Sequence, residues 1–169
     1  MTKSVVITLI GDDRPGIVES IASIVLAHQG DWIESNMANL SGKFAGILRV
    51  SLPEQEYDAF ALDLKTKTRG LNIALEPADA ESCENNRSYR LDLIGQDQPG
   101  IIYRISSALV NNGATVEEMH SEVIDASMSG EKLFKASISI CLGEGKSIDD
   151  LSAVLEQLAN ELIVDIELE

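Results

Sequence analysis

Leu9-Ile-Gly-Asp-Asp-Arg-Pro-Gly-Ile17 returns later in the chain as Leu93-Ile-Gly-Gln-Asp-Gln-Pro-Gly-Ile101. Each copy begins in an apolar, strand-like run, turns at a glycine, and sets Asp-x-Pro-Gly directly before an apolar pattern of helical period. The spacing therefore predicts a strand that feeds a helix through a tight polar turn. Such a turn presents the first backbone N–H groups of the helix, which have no partners within it, and the helix dipole draws a carboxylate or phosphate to that end.

Gly95 minus Gly11 gives an offset of 84 in a chain of 169 residues. The repeat therefore predicts two domains, at 1–77 and 89–169, joined by a polar linker at 78–88 that lacks periodicity. A half of this size has a marginal core, so the halves are expected to pack together or to form a homodimer. With Lys+Arg 13 against Asp+Glu 28, the net charge is −15. That balance disfavours direct nucleic-acid binding, which needs clustered Lys and Arg. The two cysteines, Cys83 and Cys141, suggest neither a disulfide framework nor a zinc cluster. With no secretory pattern and no apolar run long enough to span a membrane, the expected location is the cytoplasm.

Outward from the first copy, Val5 to Ile10 reads as a buried strand. A helix from about Pro15 follows, with Ile17, Val18, Ile21, Ile24 and Val25 as its stripe and Gly30 as its stop. Two strands, Trp32 to Leu40 and Phe44 to Leu52, are joined by Ser41-Gly42-Lys43. A second helix carries Tyr57, Phe60, Ala61 and Leu64, and Leu71 to Leu75 forms a fourth strand. The second half repeats the order: strand Tyr89 to Ile94, helix 100–111 ended by Gly113, and strands Thr115 to Ile124 and Leu133 to Leu142. A helix capped by Ser147, carrying Ile148, Leu151, Val154, Leu155 and Leu158, precedes a strand from Leu162 to Leu168. Two β-α-β-β-α-β orders with right-handed crossovers give an α+β fold: two ferredoxin-like units, each an antiparallel sheet with helices on one face. The opposite face of the first sheet carries Val6, Ile10 and Ile47, apolar enough that it is expected to meet a neighbour.

Two such units, each with Gly-x-Asp-x-Pro-Gly-Ile between first strand and first helix, resemble tandem ACT domains. Gly11 to Val18, with Trp32-Ile-Glu-Ser-Asn-Met-Ala-Asn-Leu40 and Gly42-Lys-Phe44, resembles the glycine cleavage system transcriptional repressor family. The resemblance implies a non-enzymatic sensor of a small amino acid, glycine or serine. It further implies a repressor that acts through a separate DNA-binding transcription activator protein.

A free amino acid needs donors for its carboxylate and an acceptor for its ammonium group. At the first corner the N–H groups near Gly16 and Ile17 could supply the donors, Asp12 or Asp13 the acceptor, and Arg14 a bidentate grip. At the second, Asp97, Gln98, Gly100 and Ile101 hold the matching places, and Gln96 replaces Asp12 as Gln98 replaces Arg14. Asp13 and Asp97 are also expected to cap their helices. His28 and His120 read as ordinary surface or edge histidines, Trp32, Met37 and Met119 as packing, and Ser35 and Asn36 as a cross-strand polar pair. Asp149, Asp150, Glu156 and Glu161 read as a solvated face. Strand alternation puts Glu118, His120 and Glu122 on one face and Glu117 on the other, which argues against a metal cluster. No Ser/His/Asp, Cys/His or P-loop arrangement appears, so no catalytic site, cofactor or metal is expected. The alternative is a tandem interaction module without a ligand.

Overall fold

A computed structural model describes residues 1–78 and 87–169. The chain divides into two compact units, Met1–Ala80 and Glu81–Glu169. The first contains β1 (Thr2–Asp12), α1 (Ile17–Ala27), β2 (Asp31–Leu40), β3 (Lys43–Pro53), a 3-10 turn (Glu54–Glu56), α2 (Tyr57–Lys67) and β4 (Leu71–Pro77). The second contains β5 (Arg87–Gln96), α3 (Ile101–Asn111), β6 (Ala114–Asp125), β7 (Lys132–Leu142), α4 (Ile148–Leu162) and β8 (Val164–Leu168). The expected linker falls largely on residues 79–86, which with Cys83 lie outside the described residues, and Arg87 and Ser88 already belong to β5.

Each unit has a four-stranded antiparallel sheet, ordered β2-β3-β1-β4 and β6-β7-β5-β8. The β-α-β-β-α-β order occurs twice, as two ferredoxin-like units. In the first, the inward residues Val5, Ile7, Leu9, Leu48, Val50 and Leu52 share one apolar cluster with Ile17, Ile21, Ile24 and Val25 of α1 and Phe60 and Leu64 of α2. Both helices therefore cover the same sheet face, and truncating a wholly enclosed residue such as Ile21 to Ala would cost about 2–5 kcal/mol. The second core repeats this with Leu91, Leu93, Ile105, Leu109, Ile138, Ile140, Leu151 and Leu155.

The repeat extends to irregularities that alternation cannot show. The β2/β3 register shifts between Trp32 and Glu34, and the β6/β7 register between Val116 and Glu118. Glu117 therefore occupies a bulge rather than a regular opposite face. Beyond it, Glu118, His120 and Glu122 pair with Ser139, Ser137 and Lys135. Among the described residues no group of three or more His, Cys, Asp or Glu is placed to hold a metal.

Several expected details differ. Val18 is 46% exposed, because the helix turns it past the edge of the stripe. Helix α1 ends one residue earlier than the glycine suggests: Gln29 takes the left-handed conformation (φ 56), while Gln29 N–H bonds Leu26 O and Gly30 N–H bonds Val25 O. That pattern is a Schellman motif with Gln29 where glycine is usual. Leu162 closes α4 instead of opening β8, and Met119 is 45% exposed on edge strand β6, with nothing of its own unit over it. Ser147 does cap α4, accepting a hydrogen bond from Asp150 N at 3.3 Å.

His28 is not a surface histidine. It sits at the C-terminus of α1, 9% exposed and edge-on to Phe60, with Nδ1 3.0 Å from Glu56 Oε2 and Nε2 2.9 Å from Asp63 Oδ2. Only the imidazolium can donate from both nitrogens at once. The hydrogen bond to Glu56, then that to Asp63, raises its pKa above 6.5 against the opposing effect of burial. Asp63 is held below the usual carboxylate range first by Lys67 and then by His28.

Two stability predictions follow from these features. A raised folded pKa contributes stability that is complete below the unfolded value and lost as pH rises through the folded one. The thermal midpoint should therefore fall as pH rises above about 6.5, and His28→Gln should flatten that fall; an unchanged slope contradicts the pairing. Separately, Ile163, 77% exposed, is left-handed (φ 54) where Gly70 (φ 85) stands in the first unit. Ile163→Gly should raise the unfolding free energy by about 1 kcal/mol in urea titrations, and a loss would show that no strain is stored there.

Candidate functional site

The corner at each strand end is built on two glycines. A Cβ at Gly11 would run into the Gly70 carbonyl and the Leu71 side chain, and one at Gly95 into Val164. The first strand can approach the fourth only where that atom is missing. Five residues on, Gly16 (φ 86) and Gly100 (φ 85) occupy the N-cap in the left-handed conformation, and neither helix has a side-chain cap hydrogen bond.

Asp13 and Asp97 therefore do not cap their helices. Pro15-Gly16 and Pro99-Gly100 stand between each Asp and the first turn, and the left-handed glycine turns the chain away from the carboxylate. Glycine supplies no side-chain acceptor, so the first amides of α1 and α3 keep their affinity for an external anion.

The side chains around the first corner come from three segments. In the β1/β3 register Asp12 faces Lys43, and their side chains form an ion pair. Lys43 holds the Asp12 carboxyl below its usual range, chiefly by the hydrogen bond and then by charge. Asn39 donates its amide to the Asp13 carboxylate, and Asp13 N–H bonds Gly42 O at 2.9 Å. The β2–β3 hairpin is thus latched to the corner, and Asn39, Gly42 and Lys43 belong to it. The sequence reading missed them because strand register, not spacing, brings them there. The Arg14 guanidinium lies exposed against Gly70, with Nη1 3.0 Å from where a Cβ would stand. Ile17 is buried at 4% exposure, so it can offer a ligand only its backbone N–H.

The second corner keeps the frame and loses the charges. Asp97 N–H bonds Lys132 O at 3.0 Å, as Asp13 does with Gly42. Gln96 replaces Asp12 and Leu133 stands opposite it where Lys43 stands in the first unit, so this ion pair has no counterpart; the neighbouring Lys132 pairs with Asp125 at 2.6 Å, which raises its pKa. Gln98, in place of Arg14, donates Nε2 to Leu162 O at 2.5 Å and is thereby held against the end of α4. Gly100 matches Gly16, and Ile101, 4% exposed, matches Ile17.

Two cavities of the first unit lie away from its corner, on the sheet. One of about 310 Å³ is lined by Val6, Ser35, Asn36, Ile47 and Arg49 among others, and one of about 270 Å³ by Thr8, Ile10, Asn72 and Ala74 among others. Ser35 and Asn36 thus border a cavity rather than forming a closed pair.

The fold repeats one ferredoxin-like unit twice, each with a strand-to-helix corner of the same frame, and comparison with known proteins agrees at the level of family. The ACT domain model matches residues 3–76. A UPF0237 protein of Methanosarcina mazei is 31% identical over 79 residues, which is 44% of this chain and 86% of that protein. Its counterpart in Methanosarcina acetivorans is 30% identical over 78 residues, 44% of this chain and 85% of that protein. The chain belongs to the ACT-domain family of regulatory modules. A crystal structure of an unknown protein from Galdieria sulphuraria superposes with TM-score 0.91 at 28% identity, covering 100% of this chain and 98% of that one. A protein provisionally assigned as a glycine cleavage system transcriptional repressor shares the fold, with TM-score 0.72 at 18% identity over 100% of this chain and 97% of that one.

Since neither Asp is a cap, Asp13→Ala and Asp97→Ala should each change unfolding free energy by less than about 0.5 kcal/mol. Ser147→Ala should cost about 1 kcal/mol. A comparable loss from either Asp would restore the capping role.

Proposed function

We propose that the protein is a sensor of a small amino acid, glycine or serine, and that it represses transcription through a separate DNA-binding activator. The observation that carries this reading is the uncapped start of α1: Gly16 supplies no side-chain acceptor, so the first amides can take a carboxylate, and Asp13, three residues before it, would take the ammonium group. Asp12 is the weaker acceptor of the two, because Lys43 already neutralises it. Arg14, exposed and free to swing from Gly70, can add a bidentate contact to the carboxylate. The open corner would be closed over the ligand by a second surface. Binding then shifts the protein between arrangements only as far as it favours one of them.

The second corner fits the alternative reading, an interaction module without a ligand, because Gln98 is already tied to Leu162 O. One ligand per chain is therefore expected, at the first corner. The charge of −15 suits a basic protein partner and disfavours direct contact with nucleic acid. The proposed setting is the cytoplasm.

Calorimetric titration with glycine, serine and the other amino acids tests the reading. Saturable heat at one site per chain is expected, and Arg14→Ala or Asp13→Ala should weaken binding at least about tenfold, the loss of one charge-assisted contact. Silence with all twenty leaves the interaction module. The complex with the activator should weaken as salt is raised from about 50 to about 300 mM, and indifference to salt contradicts the electrostatic contact.

A further inference from the structure

The two units finish their first helix differently. In the first, His28 reaches from the end of α1 to Glu56 at 3.0 Å and to Asp63 of α2 at 2.9 Å, and so bridges the two helices. Asn112 holds the matching place, 84 residues on, but its amide turns back to Ala108 O of its own helix at 2.7 Å. That end of α3 therefore lacks the bridge. A crevice of about 710 Å³ lies between α3 and α4, lined by Tyr103, Ser107, Ala108, Val110, Val154 and Leu158 among others. Arg104 and Glu161 join the helices at the other end.

Exposed apolar side chains are ordinary when scattered, but here they converge. Tyr103 is 76%, Val110 69% and Val154 37% exposed on the walls of one crevice. Tyr103 and Val110 are seven residues apart on α3, about two turns or roughly 10 Å. Between them in the sequence, Ser107 and Ala108 are small, which leaves room for a third element to approach. Charge surrounds this trough on one sign. Helix α4 carries Asp149, Asp150, Glu156 and Glu161 with no Lys or Arg, and the single charge of α3, Arg104, is paired with Glu161. By helical spacing Asp150 lies one turn before Val154 and Glu161 one turn after Leu158, so a carboxylate stands at each end of the apolar row.

We infer that the crevice between α3 and α4 is the docking site for a basic amphipathic helix of the protein partner. Its apolar residues at i, i+3 or i+4, and i+7 seat beside Tyr103, Val110 and Val154, and its Lys or Arg flanks face the acids of α4. This docking rests on the basic protein partner proposed above and specifies the segment that binds. A second copy of the chain is a poor occupant, because at net charge −15 it is repelled by α4.

Fluorescence anisotropy of the full chain, without any amino acid, tests it with labelled peptides of about fourteen residues. One carries Leu at those spacings with Lys between, another has the same residues scrambled to break the stripe, and a third keeps the stripe with Gln in place of Lys. The striped basic peptide should bind saturably, and each of the others at least about tenfold more weakly. Tyr103→Ala with Val110→Ala, which keeps the net charge and good helix formers, should weaken the striped basic peptide at least about tenfold with helix content retained. Leu26→Ala with Leu62→Ala, which removes the exposed leucines of α1 and α2, should leave its binding unchanged. Equal binding of the striped and scrambled basic peptides overturns the crevice as the site, as does binding that survives the change to α3 or is lost equally with the change to α1 and α2; the basic partner itself then stands. Equal binding of the neutral stripe overturns the basic chemistry of the docked helix. If neither basic peptide binds, the basic partner and its docking site fall together.

Discussion

The approach of the first strand to the fourth, at a point where no Cβ can be present, is the constraint on which each unit depends. Gly11 lies against Gly70 and Leu71, and Gly95 against Val164. Because the strand can run that close to its neighbour, it continues to the sheet's edge before turning. The chain then enters the helix through a left-handed glycine rather than through a capping side chain. The same geometry that closes the core leaves the first amides of the helix facing outward. Fold and candidate site are therefore consequences of one turn rather than separate features.

Duplication then allowed the two corners to diverge on an unchanged frame. The backbone latch to the following hairpin is kept in both, as Asp13 N–H to Gly42 O and Asp97 N–H to Lys132 O. What changed is the side chains that sit on it. The first corner carries Asp12, Asp13 and Arg14 in exposed positions, and the second has turned Gln98 inward onto its own α4. The sheet faces diverged in the opposite sense, apolar in the first unit and charged in the second.

Much of this was legible in the sequence, because the periodicities are strong and occur twice. The element order, the Ser147 cap and the inward residues of β3 and β7 all follow from alternation and helical spacing. What was not legible depends on register or on the third dimension. The bulges at Ile33 and Glu117 add a residue that alternation cannot register. Helix α1 stops at a left-handed Gln29, since the Schellman hydrogen bonds outweigh the preference for glycine. The corner's real neighbours, Asn39 and Lys43, arrive through strand pairing. His28 looked ordinary because Glu56 and Asp63, which enclose it, lie 28 and 35 residues away. Helix capping by Asp was a reasonable inference from residue type, but the Pro-Gly between it and the helix redirects the chain.

The most direct test of the amino-acid corner is a crystal structure of the protein grown with glycine at saturating concentration. The account predicts the ligand at the start of α1, its carboxylate on the amides that follow Gly16 and its ammonium group toward Asp13, with the second corner still filled by Gln98. A ligand bound away from residues 11–17, or a first corner left empty while calorimetry shows binding, would contradict it.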